Sequence, residues 1–430
     1  MERITRKITG EVVLSENLPK VENIGDFKKL LLKETFQDAS TLLGFLLNSA
    51  ILFDTSDVHL EPLEQGTNIR FRLDGVLQDG GTLPREVFSL LLSRIKLASG
   101  IRLNVEDRPQ DGRFSILAKD EAPIEVRTST LPSQYGESLV LRILNPKNLL
   151  SLKDLGLRKD LLSLFEKELQ KPNGMITVTG PTGSGKTTTL YAFLKEVASE
   201  EEKTITIEDP IEYHLEGISQ TQVNPAKGYD FASGLRAIVR QDPDVILVGE
   251  IRDGETAEIA LQAALTGHLV FSTLHTNDAA GTVPRLVALG AKISPIASAL
   301  TLIVAQRLVR KVCKKCAFRV KPTAEEFKKI EQGLGVLKTR LKLTVGALLK
   351  ISKTKGCNDC NSTGFKGRVG IFEALVVSDD TEEFILRSPS VSALKEFAIK
   401  KGMTTMYQDG LIKVTEGITT LEELARVTSE

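Results

Sequence analysis

Tryptophan is absent from the 430-residue chain, and all aromatic residues together make up 5% of it. That scarcity argues against a surface that stacks nucleic-acid bases, which requires aromatic platforms. Charge of one sign is lacking too: 56 Lys plus Arg stand against 56 Asp plus Glu. No global field therefore draws the chain toward nucleic acid or an anionic membrane. No apolar run approaches the roughly eighteen residues of a membrane-spanning helix. The opening MERITRKITGEVVLSE lacks the apolar stretch of a secretory signal. The expected location is cytoplasmic, with any membrane contact made through a partner.

The rest of the composition, 41% hydrophobic and 26% charged with 33 Gly and 16 Pro, is that of an ordinary globular protein. The length exceeds what one hydrophobic core usually organises, so two or three domains are expected. Residues 1–36 are mixed and charged and read as an N-terminal arm. From 37 to 150, helical spacing (TLLGFLLNSAILF, VFSLLLSRIKLASG) is interleaved with strand-like runs (NIRFRLDGVL, RFSIL, IEVRTST, SLVLRIL), predicting an α+β domain. Asn145-Pro146-Lys147 and the polar SLKDLGLRKD mark a linker, taken as 151–160. Over 161–430, short apolar strands (MITVT, KTITI, VILVGEI, LVFSTLH) alternate with helical segments, the pattern of βαβ units on a parallel sheet. This α/β domain includes a cysteine-bearing stretch at 311–372 and a helical C-terminal region at 373–430.

The strand MITVT runs into Gly180-Pro181-Thr182-Gly183-Ser184-Gly185-Lys186-Thr187-Thr188 and then a helical segment, matching the phosphate-loop pattern in its required context. Average residue frequencies give about a 2% chance of one such match in a chain this long. Glycines at 183 and 185 allow backbone N–H groups to converge on a polyanion, and the helix N-terminus adds its positive dipole end. Lys186 is expected to pair the β/γ-phosphates of ATP, and Thr187 to ligate Mg²⁺. The apolar strand VILVGE delivers Glu250 at its C-terminal end, where α/β sheets bind ligands, as the candidate base for an attacking water. TITIED ends in Glu208 and Asp209, with Glu212 in the following turn, and these carboxylates are expected near the metal. His275 also closes a strand. It is either a hydrogen-bonded structural residue or a phosphate sensor.

All four cysteines fall into two C-x-x-C pairs, Cys313/Cys316 and Cys357/Cys360, the ligand set of a closed tetrahedral Zn²⁺ site. Disulfides are disfavoured in a cytoplasmic chain, and a thioredoxin-type redox pair would not need two copies.

GPTGSGKTTTL, ITIEDPIEYHLEG, LRAIVRQDPDVILVGEIRDGETA and TGHLVFSTLHTNDA together resemble the Walker A, Asp-box, Walker B and His-box of the type II/type IV secretion ATPase family. The resemblance extends through SDVHLEP, FRLDGVL, EDRPQDGR, VRTSTLPSQYGESLVLRIL, AQRLVRKVC and GCNDCNSTGFKGRVGIFE, covering roughly 37–430. It implies a RecA-like P-loop core with a parallel-rich sheet, preceded by a smaller α+β, PAS-like domain and carrying a zinc-binding insertion. It also implies a homohexamer working through an inner-membrane platform protein of a secretion or pilus machine. By motif matching it assigns Arg127 and Arg142 to the phosphates. Arg236 and Arg240 are assigned to a nucleotide or subunit interface. Arginine suits such roles because it stays charged and grips phosphate bidentately. The cysteines resemble those of pilus-assembly and type II secretion members, whereas retraction members typically lack them. Family members usually carry a further N-terminal docking domain; here residues 1–36 precede the shared region, so the chain is either truncated or docks differently. The competing expectation is a nucleic-acid translocase built on a similar P-loop core.

Overall fold

A computed structural model describes residues 10–15, 18–33, 38–118, 122–341 and 348–428. The expected start of the α+β domain, at 36/37, lies outside the described residues. The chain divides into two compact units. The first falls within Met1–Asn148 and adds Cys313–Ala317 and Thr354–Lys366; the second comprises Leu149–Val312, Phe318–Lys353 and Gly367–Glu430.

The first unit is built on a seven-stranded sheet of β1 (Glu11–Val13), β2 (Asp57–Leu63), β3 (Gly66–Leu73), β4 (Val76–Leu83), β5 (Gln110–Leu117), β6 (Ile124–Ser133) and β7 (Gly136–Leu144), in the order β1-β5-β6-β7-β2-β3-β4. β1 runs parallel to β5, and the remaining neighbours are antiparallel. The run NIRFRLDGVL divides into β3 and β4 because Asp74 and Gly75 both adopt positive φ (49° and 83°), the twist a two-residue hairpin demands. Alternation along the strands sends Phe71, Phe114, Val126 and Leu141 into the core. There they meet helices Ile24–Lys33, Ala39–Leu52 and Arg85–Ser99. The segment read as an arm supplies part of that core: Phe27 is fully buried, stacked on Phe45 at 4.9 Å and edge-on to Phe71 at 5.0 Å.

In the second unit, β8 (Gly174–Thr179), β9 (Thr204–Glu208), β10 (Ser219–Gln222), β11 (Val245–Val248), β12 (Leu269–Leu274), β13 (Leu300–Val312) and β16 (Phe365–Val376) form a sheet in the order β10-β9-β11-β12-β8-β13-β16. β14 (Ala317–Val320) pairs with β15 (Ile351–Thr354) in a separate ribbon. The neighbours from β10 to β13 are all parallel. Parallel strands are buried on both faces, and β8, β11 and β12 are buried throughout. Ile176 and Val178 pack with Leu190, Phe193, Phe165 and Phe271 on one face; Met175, Ile246 and Val270 pack with Leu235, Leu261 and Ile296 on the other. The stretch read as a linker also joins a core, through Leu152 and Leu155 of a short 3₁₀ turn. Among the described residues, no helix is long and apolar enough to cross a membrane.

Candidate nucleotide site and cysteine cluster

The register of the parallel strands aligns Thr179 with Leu274, Val248 with Ser272, and Val248 with Ile207. The C-terminal ends of β8, β9, β11 and β12 therefore share one edge, the edge at which open α/β sheets bind ligands. From it β8 passes into the glycine loop. Gly180 has φ +149°, and a Cβ there would lie 2.4 Å from the carbonyl oxygen of Gln306 on β13. At Gly185 (φ +89°) a Cβ would meet Gln306 Nε2 at 2.8 Å. Only glycine fits both positions.

Gly185 opens the helix Lys186–Val197 without a side-chain cap, so its first amides are not claimed by a capping side chain. Ser184 Oγ is buried with no hydrogen-bond partner among the described residues, and Thr187 at the helix start is exposed. Pro181, Thr182 and Gly183 are exposed on the loop, and Thr188 is half-buried. Lys186 Nζ donates to the carbonyls of Gly180 (2.9 Å) and Pro181 (3.1 Å). Burial lowers its pKa, and the negative charge of Glu250 acts in the opposite direction. Gln306 braces the loop from behind, its Oε1 accepting from Thr189 Oγ1 at 2.6 Å.

Glu250 follows β11 after Gly249, whose amide donates to Ile207 O (2.8 Å) and whose carbonyl accepts from Thr273 Oγ1 (2.7 Å). These bonds to both flanking strands fix where the carboxylate emerges. Asp253 then caps the helix Gly254–Leu265 through Thr256 N at 2.8 Å. Such a cap contributes about 1 kcal/mol. The side chain of Glu250 is 13% exposed; Arg252 Nη2 lies 2.5 Å from its Oε1, and His275 Nε2 lies 3.6 Å from its Oε2. His275 is aimed by the residues around it, because Thr179 Oγ1 donates to Leu274 O (3.0 Å) and accepts from Thr276 N (2.8 Å).

Lys186, Glu250 and His275 are thus brought together, with Arg252 and Gln306 as neighbours that the sequence had not singled out. Glu208 is placed differently. It is 4% exposed and already accepts from Tyr191 Oη (2.5 Å), Thr206 Oγ1 (2.6 Å) and Gln220 Nε2 (3.2 Å), so it serves as an interior strut. Burial first, and then the Glu208 charge, push the Tyr191 phenol well above its usual range. Asp209 is exposed, and the Glu212 amide donates to Tyr191 Oη at 3.3 Å. Arg236 and Arg240 are exposed near the end of the helix Phe231–Val239, Arg236 pairing with Glu255. Arg127 and Arg142 stand on β6 and β7 of the first unit.

The four sulfurs of Cys313, Cys316, Cys357 and Cys360 all lie within 4.8 Å of one another, and none is in a disulfide. Three of the separations are 3.7–3.8 Å. A tetrahedron with metal–sulfur bonds of about 2.3 Å has edges of about 3.8 Å, so the cluster has the dimensions of a Zn²⁺ site. Burial raises the Cys316 thiol to about 12. For Cys360 burial acts upward too, but amide donation from Cys357 and Gly364, each 3.2 Å from the sulfur, brings it down to about 7. Amides aimed at a sulfur favour the thiolate that a metal requires.

The family described as "Type II/IV secretion system protein" matches residues 34–426. Among curated relatives, the type IV pilus assembly ATPase PilB of Thermus thermophilus is 44% identical over 386 residues, covering 90% of this chain and 42% of that protein. The type II secretion system protein E of Pectobacterium carotovorum is 45% identical over 411 residues, covering 95% of this chain and 80% of that protein. The chain therefore spans less than half the length of the first relative. Among solved structures, the Legionella pneumophila ATPase DotB has the same fold (TM-score 0.66, 21% identity, 92% of this chain and 97% of that one). The pilus retraction motor PilT with bound ADP matches with TM-score 0.59 at 27% identity, over 90% of this chain and 96% of that one. With a glycine loop on a parallel α/β sheet and a family match across nearly its whole length, the chain belongs to the type II/IV secretion ATPase family, whose members hydrolyse ATP.

Proposed function

We propose that this chain is the motor of a type IV pilus assembly or type II protein secretion machine, a cytoplasmic homohexamer acting on an inner-membrane platform protein. The curated relatives named for pilus assembly and type II secretion support that choice, as does the paired-cysteine cluster. In this reading the loop 180–188 cradles the phosphates of ATP, Lys186 neutralises them, and the Thr187 hydroxyl ligates Mg²⁺, which supplies further charge neutralisation. Glu250 orients and deprotonates the attacking water, and His275 reports on the γ-phosphate. Asp209 and Glu212 lie toward the metal, whereas Glu208 supports the site from within. Arg127 and Arg142 grip phosphate, and Arg236 and Arg240 face a nucleotide or a subunit interface. Residues 37–150 form the α+β domain and 161–430 the motor domain. The four cysteines hold one structural Zn²⁺.

One observation carries the reading: at the C-terminal edge of a parallel sheet, Glu250 emerges from the strand end with His275 3.6 Å away, and the strand Gly174–Thr179 on the same edge passes into the glycine loop that leads to Lys186. The test is ATP turnover by the full chain with Lys186→Ala. Loss of turnover by at least about a hundredfold, with an unchanged thermal transition, is expected for a group that stabilises developing phosphoryl charge. Turnover within a few-fold of the parent would overturn the site.

A further inference from the structure

Strand β16 carries near its end a carboxylate that the nucleotide site described above does not use. Glu373 is 2% exposed, yet both of its oxygens are engaged: Oε1 accepts from the Ala279 amide at 3.0 Å and Oε2 from the Met406 amide at 3.2 Å. Ala279 is fully buried in the loop 275–281, four residues beyond His275. A buried amide must find an acceptor, and here the acceptor is this side chain. Met406 opens the helix Met406–Glu416, whose cap residue Thr405 serves Gln408 N at 3.3 Å, so the helix's first amide is met by Glu373 instead.

The joint between strand and helix is reciprocal. The amide of Phe372, next to Glu373 on β16, donates to Asp409 Oδ2 at 2.8 Å, three residues along the same helix. Asp409 is fully buried and also accepts from Lys413 Nζ at 3.0 Å and Arg158 Nη1 at 2.5 Å, so the helix start is fixed in place. Burial raises the pKa of Glu373, whereas the Ala279 amide, the charge of Lys395 and the Met406 amide act against that rise. Two amides donating to two separate oxygens suit the ionised form, because a protonated carboxyl would turn one oxygen into a donor. The positive end of the helix dipole falls at the same place.

The loop is held from another side as well. Thr276 N donates to Thr179 Oγ1 at 2.8 Å, at the end of β8 where the glycine loop begins. Thr276 Oγ1 donates to Asp278 O at 2.8 Å, and Asp278 accepts from Gly281 N at 2.9 Å and from Lys395 Nζ, on the helix Val391–Lys400, at 3.0 Å. The loop that carries His275 is therefore clamped between the phosphate-loop strand and the C-terminal helices.

We infer that Glu373 is a positioning residue for ATP hydrolysis: by bridging Ala279 and Met406 it fixes the loop 275–281, and through it the His275 imidazole, against Glu250. The C-terminal helix Met406–Glu416 thereby becomes part of the framework of the catalytic edge. The inference rests on the role given to His275 in the preceding section.

The test uses the full chain with Glu373→Gln, Met406→Pro and His275→Ala. Gln keeps the shape of the side chain but offers one acceptor to two amides, so one of them must face its NH₂ group. Met406→Pro removes the helix-side amide at a position where proline is tolerated. Turnover, ATP-analogue affinity and thermal transition are measured with the imidazole resonances of isotope-labelled histidine; the chain has four histidines, and the one lost in His275→Ala identifies its signal. Glu373→Gln should lower kcat about tenfold to a hundredfold, the scale of a displacement of roughly 1 Å, with analogue affinity within about threefold of the parent. It should also move the His275 resonance and leave those of His59, His214 and His268 in place. Met406→Pro should move the same resonance and lower kcat in the same direction. An unmoved His275 resonance with parental kcat in folded Glu373→Gln overturns the inference, and so does a lowered transition as the only change. Normal turnover in His275→Ala would instead reject the role of His275, while a moved resonance in Glu373→Gln would still support the bridge, so the two failures are distinguishable.

Discussion

The carboxylate of Glu250 lies 3.6 Å from Nε2 of His275, bridging the ends of two adjacent parallel strands. Both strands are pinned by hydroxyl bonds just before these residues: Ser272 Oγ to Val248 O at 2.8 Å and Thr273 Oγ1 to Gly249 O at 2.7 Å. The pair is therefore held by the sheet rather than by a loose loop.

Replacing Glu250 with Gln keeps the shape of the side chain and removes its basicity. Turnover is expected to fall by about 10²–10⁴, the usual contribution of a positioned base, while ATP affinity stays within a few-fold. Stopped turnover together with retained analogue binding supports the role. Weak binding with normal chemistry would contradict it. His275→Ala separates the two roles open to the imidazole: a structural histidine lowers the thermal transition, whereas a phosphate sensor lowers turnover at an unchanged transition.

The sulfur tetrahedron predicts one Zn²⁺ per chain by metal analysis of protein purified without chelator. Stripping the metal with a strong chelator should lower the thermal transition, because four buried or half-buried thiols would then lose their shared ligand. Protein that carries no metal, keeps its transition and shows oxidised Cys313 and Cys357 would exclude the site.

The glycine loop and the paired cysteines were legible because their chemistry is local: a few adjacent residues set both the backbone turn and the ligand spacing. Gln306 was not legible as a brace, since its contact with Thr189 joins residues 117 apart in the chain. Glu208 reads from sequence as a strand-end carboxylate like Glu250. The Tyr191 hydroxyl, arriving from the preceding helix, joins Thr206 and Gln220 in holding it inward. Phe27 sits in a short, charged segment whose periodicity is weak, and its burial depends on Phe45 and Phe71, far along the chain.

Glu423 gives the fold a distinct pH dependence. Burial alone would raise its pKa, but hydrogen bonds from Arg426 and Arg310 outweigh this and bring it from 4.5 to about 2. A carboxylate whose folded pKa is depressed contributes stability that is fully present above its unfolded pKa and lost as pH falls through the folded one. That window runs from about 4.5 down to about 2. Glu423→Gln leaves Arg310, itself 16% exposed, without its ionic partner and should cost about 3 kcal/mol at pH 7. Urea unfolding of parent and variant should show a gap that is constant from neutral pH to about 5 and narrows below it. A gap independent of pH would mean that the pair contributes through shape alone.

Arg127 and Arg142 test whether the chain works as an assembly. Lys186 supplies a single positive charge from the phosphate loop, which leaves much of the charge developing on a transferred phosphoryl group to be neutralised by other groups. An arginine finger supplied by a neighbouring chain typically contributes about 10³–10⁵ in rate. Asp57 accepts from Arg142 Nε at 2.9 Å while the Arg142 side chain remains 56% exposed. Arg127→Ala and Arg142→Ala are each expected to cut turnover by at least about a hundredfold while ATP still binds, a loss of stabilisation made only in the transition state. Arg142→Lys should recover little, because an ammonium cannot hold Asp57 and grip phosphate in the same planar fork. If both arginines act in trans, specific activity must rise with protein concentration as chains associate. Mixing Lys186→Ala chains with Arg142→Ala chains should then restore part of the activity, since each supplies the group the other lacks. Equal specific activity at all concentrations, together with no rescue on mixing, would exclude action in trans and leave the chain a solitary hydrolase, and unchanged turnover in both Ala variants would place the arginines outside the chemistry.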